Sequence, residues 1–175
     1  MTTYTYVDNS NLYIEGCRVS AVNKKMAKNI VEAQKNKIVD MTWQLDYGKL
    51  YEFLCGDDAV ARLWGSPPPG DSFWKMVDKK GFKTTVYEKN VANKEKKVDV
   101  AIGAAMTKDA YTKVNKKKDE LILVAGDGDY EPVITDLMTE GFNVEVAFWD
   151  HAAGEIKKAA KNFISLNEHH GHFTR

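Results

Sequence analysis

Short apolar runs alternate along this chain with stretches in which apolar positions recur every three or four residues. The most continuous run, Leu121-Ile122-Leu123-Val124-Ala125, predicts a strand buried on both faces. It ends in Gly126-Asp127-Gly128-Asp129, two carboxylates separated by a residue free to take almost any backbone angle. Behind this turn Val133, Ile134, Leu137 and Met138 follow helical spacing, with Pro132 suited to a first turn. The same junction opens the chain, where Tyr4-Thr5-Tyr6-Val7 runs into Asp8-Asn9-Ser10-Asn11. Further strands are expected over residues 59–64, 82–87 and 143–148, with 163–166 as an edge strand. Helices are expected over 21–36 (after a loop at 9–20), behind an Asp46 cap as far as Gly56, from Asp71 or Ser72 to Lys80, from Val98 to about Val114, and over 154–161. Residues 39–45 carry no clear period, 65–70 read as a Pro/Gly loop, and 88–97 as a polar connection.

Strands alternating with helices imply an α/β domain: a parallel sheet with right-handed crossovers and helices on both faces. If the strand order doubles back after the third strand, the first and fourth become neighbours. Asp8 and Asp127 then meet at the switch point, where such sheets bind ligands.

A chain of 175 residues, 43% hydrophobic, can bury the core of a single domain. We place that domain at 1–166 and read 167–175, with its His169-His170-Gly171-His172 tract, as a flexible tail. Two cysteines, Cys17 and Cys55, give neither a disulfide framework nor metal-ligand spacing. No apolar run approaches the roughly 20 residues that span a bilayer, and no signal peptide is visible, so a cytoplasmic protein without membrane contact is expected. The formal net charge is zero, and the bunched lysines (around 24–28, 94–97, 116–118 and 157–161) read as solvated helix ends. Trp64, Trp74 and Trp149 read as core or edge packing.

The candidate chemistry is acidic. A single aspartate at a strand end is commonly a helix cap, but Asp127 and Asp129 cannot both cap one position. Clustered carboxylates repel one another unless a cation or a proton intervenes. Oxygen-only ligation without His or Cys favours Mg²⁺ or Mn²⁺, which polarise a phosphate and activate water. Asp99, behind Lys96-Lys97-Val98, is a fourth carboxylate, although its place near a helix start also suits the macrodipole. Asn11 can orient a neighbouring carboxylate, Lys97 can contact a phosphate, and Asp109 reads as a surface or supporting group. A dinucleotide-binding oxidoreductase is not expected, because the first strand is followed by Asp8-Asn9-Ser10-Asn11 and lacks the Gly-x-Gly-x-x-Gly turn.

These segments resemble a known family. Val7-Asp8-Asn9-Ser10-Asn11-Leu12 is similar to the Asp-x-x-Asn opening of NYN domains, a PIN-like ribonuclease fold with a LabA-like bacterial branch. Lys96-Lys97-Val98-Asp99-Val100-Ala101 resembles the family's Lys-x-Val-Asp segment, and Gly126-Asp127-Gly128-Asp129-Tyr130 its Ser/Gly-Asp-x-Asp-Phe segment. The resemblance implies a three-layer, Rossmann-like sandwich around a parallel sheet of about five strands. It also implies an Mg²⁺ or Mn²⁺ site of Asp8, Asp99, Asp127 and Asp129, supported by Asn11, that hydrolyses RNA, single-stranded by preference. Asp8 and Asp127 would ligate directly, Asp99 and Asp129 directly or through water. One departure is Ala105, where the family helix commonly carries a second aspartate. It motivates an alternative, a catalytically decayed RNA-binding or regulatory module. A third reading, a phosphohydrolase of small phosphate esters, would need a closed pocket. Whether the chain forms a homodimer is left open.

Overall fold

Every residue of the first strand, Thr3–Asp8 (β1), is buried, as befits the middle of a covered sheet. The computed structural model describes residues 1–88 and 94–175. In it Ala59–Gly65 (β2), Lys83–Val86 (β3), Glu120–Val124 (β4), Val144–Phe148 (β5) and Asn162–Ser165 (β6) join β1 in a parallel sheet of order β3-β2-β1-β4-β5-β6. The order doubles back as expected: β1 lies between β2 and β4, with Val7 opposite Val124. The sixth strand, one more than the resemblance implies, is the edge strand near the C-terminus.

The intervening helices are Asn9–Asn23 (α1), Ile30–Lys35 (α2), Tyr47–Leu54 (α3), Asp71–Lys79 (α4), Lys94–Thr112 (α5), Glu131–Thr139 (α6), Gly154–Ala159 (α7) and His170–Phe173 (α8). Helices α1 and α5 both pack against β1 and β2. The core runs through Val7, Leu12, Leu63, Ile102, Met106 and Leu123, none more than marginally exposed. No helix of the described residues is long and apolar enough to cross a membrane.

Residues 9–20 are helix, not the expected loop. Asp8 starts α1 by accepting the Asn11 N–H at 3.2 Å. The apolar period of α1 is faint because its buried face includes Glu15, Gly16 and Ser20 beside Leu12 and Val19. Gly16 is required there: a Cβ would stand 2.5 Å from Trp43 Cζ3 and 2.9 Å from Trp149 Cζ2. Trp149 Nε1–H also donates to the Leu12 carbonyl at 3.0 Å. The expected 21–36 helix is broken instead at Lys25, whose φ of 60° lies in the left-handed region, and resumes behind the Asn29 cap.

The C-terminal residues are docked, which corrects the reading of 167–175 as a flexible tail. Phe173 is fully buried, its carbonyl accepts the Asp46 N–H at 2.7 Å, and Arg175 N–H donates to Gln44 at 2.9 Å. Trp43 Nε1–H donates to Thr174 Oγ1 at 2.8 Å, and Leu45 pairs with Thr174 as an antiparallel bridge. Neither residues 39–45 nor the terminus has a period of its own; each supplies the other's partners.

His170, within the histidine tract of this segment, stacks on Trp43 with ring centroids 5.0 Å apart. Its surroundings assign the neutral tautomer, with Nε2–H donating to Gly16 O at 3.3 Å and Nδ1 accepting from Asn23 at 3.4 Å. Burial pushes its pKa below the usual 6.5. The unfolded chain therefore binds this proton first, and the stability His170 contributes is lost as pH falls below about 6.5. Asp8, raised from 3.8 to about 6, acts in the opposite sense between those values. The expected result is a difference in Tm between wild type and His170→Gln that is larger at pH 7.5 than at pH 5, read by thermal scans of both proteins (about 7.5 and 5 bracket the ordinary histidine pKa).

Candidate functional site

The carboxyl ends of β1 and β4 lie side by side, and each runs directly into a capped turn of helix. Asp8 uses one oxygen for its cap; the other accepts the Tyr130 hydroxyl at 3.2 Å. The same hydroxyl lies 3.0 Å from Asp99 Oδ1, so one proton serves two carboxylates from two separate elements. Asn11 clamps the junction: its Oδ1 accepts the Gly126 N–H at 2.8 Å, joining the first turn of α1 to the end of β4. Gly126 has to be glycine because a Cβ would meet Phe148 Cε1 at 2.2 Å, and Phe148 is buried. Asp127 caps the 3-10 turn Gly128–Tyr130 by accepting the Asp129 N–H at 3.0 Å. Gly128 does not use the left-handed freedom expected of it, since the positive-φ glycines are Gly81 and Gly141.

One carboxylate oxygen from each of Asp99, Asp127 and Asp129 lies within 4.8 Å of the others. Asp8 sits beside this trio, linked through Tyr130, rather than within it. Asp127 and Asp129 are exposed, Asp99 half-buried and Asp8 buried. Burial, reinforced by the charges of Asp99 and Asp127, pushes Asp8 up to about 6, against the pull of the Asn11 N–H and the Tyr130 hydroxyl. Burial and the neighbouring Asp8 and Asp99 push Tyr130 well above its usual range, which keeps its hydroxyl a donor. Three carboxylate oxygens this close fit a hard divalent cation.

The other expected residues separate. Helix α5 begins at Lys94, so Asp99 stands beyond its first turn and is not a cap. Lys97 is exposed near Asp99, while residues 89–93 and the side chains of Lys94 and Lys96 lie outside the described residues. Asp109 does not support the site, nor is it on the surface. It lies ten residues along α5, about 15 Å from Asp99. It is 1% exposed and accepts from Tyr6 at 2.9 Å and Arg62 at 2.6 Å, with Lys113 at 3.0 Å. Burial alone would raise its pKa, but these donors hold it low, and it pins α5 to β1 and β2. Ala105 is half-buried against the apolar core.

Tyr130, Glu15, Arg18 and Ser66 were not singled out by sequence. Together with the carboxylates, the last three line a cleft of about 450 Å³ beside Asp8, Asn11, Asp99 and Asp127. Glu15 pairs with Arg18 and lies 2.5 Å from His151 Nε2. The signal for Tyr130 was legible: it occupies the Phe position of the Asp-x-Asp-Phe segment.

Residues 3–167 match the NYN domain. The chain belongs to the NYN domain family. NYN domains have a PIN-like nuclease fold; they are generally ribonucleases and generally depend on divalent metal. Among solved structures this NYN domain is similar to a protein of unknown function from Vibrio parahaemolyticus. The TM-score is 0.69 at 15% identity, over 99% of this chain and 96% of the other, a likeness of fold. No curated protein matches the chain.

In this NYN domain the Tyr130 hydroxyl carries a stabilising as well as a positioning load. Tyr130→Phe leaves buried Asp8 short of a donor and is expected to cost about 1–2 kcal/mol in denaturant unfolding of the metal-free protein.

Proposed function

We propose that this NYN domain is a divalent-metal-dependent endoribonuclease that hydrolyses single-stranded RNA. The observation that carries this reading is the convergence of Asp99, Asp127 and Asp129, from a helix and a strand-end turn, onto one point at the edge of the cleft that Asp99 and Asp127 line. These three would hold Mg²⁺ or Mn²⁺, with Asp8 alongside. When bound, the cation supplies charge neutralisation at the phosphate and activates water for attack. The protein's own part is placement. Asn11 locks the β1 and β4 ends together, and Tyr130 fixes Asp8 relative to Asp99. Lys97, exposed on α5 two residues before Asp99, would meet the phosphate backbone, and activity is expected to fall with added salt. An open cleft suits a flexible strand better than a small phosphate ester.

Ala105 favours a second reading, an RNA-binding module whose site has decayed. The trio assembles without a carboxylate at 105, which favours the active reading. The test is cleavage of labelled single-stranded RNA with Mn²⁺, Mg²⁺ or chelator, by wild type and Ala105→Asp. Metal-dependent cleavage by wild type is expected, changed less than about tenfold by Ala105→Asp, because the existing donors already meet a cation's needs. Metal-independent binding without cleavage by either protein would instead establish the decayed module.

A further inference from the structure

The acidic cleft continues into a second depression that the cleavage chemistry does not use. This groove, about 670 Å³ and mainly apolar, shares Ser10, Ile14 and Ser66 with the cleft. Its walls carry Tyr13, Phe73, Met41 and Met76. Phe73 is braced edge-on by Tyr47 and Trp74, with centroids 5.4 and 4.9 Å away, yet remains half-exposed. Such a ring is held ready for a flat partner before one arrives. Met41 is 63% exposed, a large apolar side chain at the rim.

Two polar groups at the junction lack partners among the described residues. Ser66, 7% exposed, has a buried Oγ with no hydrogen bond, and Arg18 has a buried Nε–H with none. Both line the acidic cleft, and both can donate. A buried donor without an acceptor is costly, so unmet donors beside a cation-seeking cluster call for an anion. Arg175, at the wall of the groove, adds a cation there.

Resting on the nuclease reading, we propose that cleft and groove form one nucleotide subsite. Ser66 Oγ and Arg18 Nε bind a phosphate flanking the scissile bond, and the groove stacks its nucleobase on Phe73 between Met41 and Met76. The occupant is a base of the single-stranded RNA substrate. Continuity decides this over a separate peptide or lipid: the apolar walls begin where the phosphate donors end. Base pairing would deny the groove its occupant, so the subsite also gives the domain its preference for unpaired strands.

The test is equilibrium binding without divalent metal, by fluorescence anisotropy. A labelled oligouridylate is compared with a strand of the same length and charge that lacks its bases. Wild type is expected to hold the base-bearing strand about tenfold more tightly, the contribution of one stacked base. Phe73→Ala and Met41→Ser should both reduce that ratio toward unity; the second changes an exposed residue and leaves the core intact. Ser66→Ala should weaken both strands alike, the mark of a phosphate contact. Equal affinity of wild type for the two strands, including no measurable binding of either, overturns the subsite. So does a ratio that survives both groove substitutions. Cleavage with Mn²⁺ is read separately: a base preference without cleavage sinks the nuclease reading alone, and cleavage without a base preference sinks the subsite alone.

Discussion

Asp127→Asn is expected to lower metal-dependent RNA cleavage at least about a thousandfold while leaving Tm unchanged or slightly higher. The two effects have one origin. Asp127 is the middle member of three carboxylates whose oxygens lie within 4.8 Å, an arrangement that repels itself without a cation. Removing one charge relieves the metal-free fold and removes a ligand from the cation. Several kcal/mol of transition-state charge stabilisation then disappears, and each 1.36 kcal/mol is about tenfold in rate. Asparagine keeps an oxygen able to accept the Asp129 N–H, so the turn itself persists. Single-turnover cleavage with Mn²⁺, alongside thermal unfolding in chelator, measures both sides. A fall in rate accompanied by a fall in Tm would mean that Asp127 serves the fold rather than the chemistry.

Phe173→Ala is expected to destabilise the protein by about 3–4 kcal/mol, the range for deleting a fully buried aromatic side chain. Phe173 is packed edge-on against Phe53 at 5.2 Å, and its backbone accepts from the residue that caps α3. Urea unfolding at neutral pH checks this. A loss below about 0.5 kcal/mol, typical of a surface substitution, would show that the terminus contributes nothing to the fold.

What could be read from sequence divides along a physical line. The strands were legible because parallel strands are buried on both faces and therefore spelled as continuous apolar runs, Leu121 to Val124 being the clearest. Strand ends tipped with Asp8 and Asp127 pointed to the switch point for the same reason. Helix α1 was not legible, because close contact with Trp43 and Trp149 demands Gly16 where a helix would ordinarily show a large apolar residue. The docked terminus was hidden since its stability lies in partners more than a hundred residues away, such as Trp43 for Thr174. Asp109 was misplaced for a related reason. Lys108 beside it is exposed, but a helix turns about 100° per residue and carries Asp109 into the interior, where Tyr6 and Arg62 meet it. Ser66 and Arg18 were missed because no local pattern marks a donor that lacks its acceptor.

The aromatic seat of His170 has a consequence for genetics. The imidazole touches the Gly16 carbonyl on α1, and that same helix presents Asn11, Glu15 and Arg18 to the cleft. On the proposed nuclease reading, lesions near the C-terminus are therefore expected to register in a screen as loss of activity, although they touch none of the cleft carboxylates. Their signature is temperature sensitivity, with activity returning in the cold, whereas a lost carboxylate stays silent at every temperature.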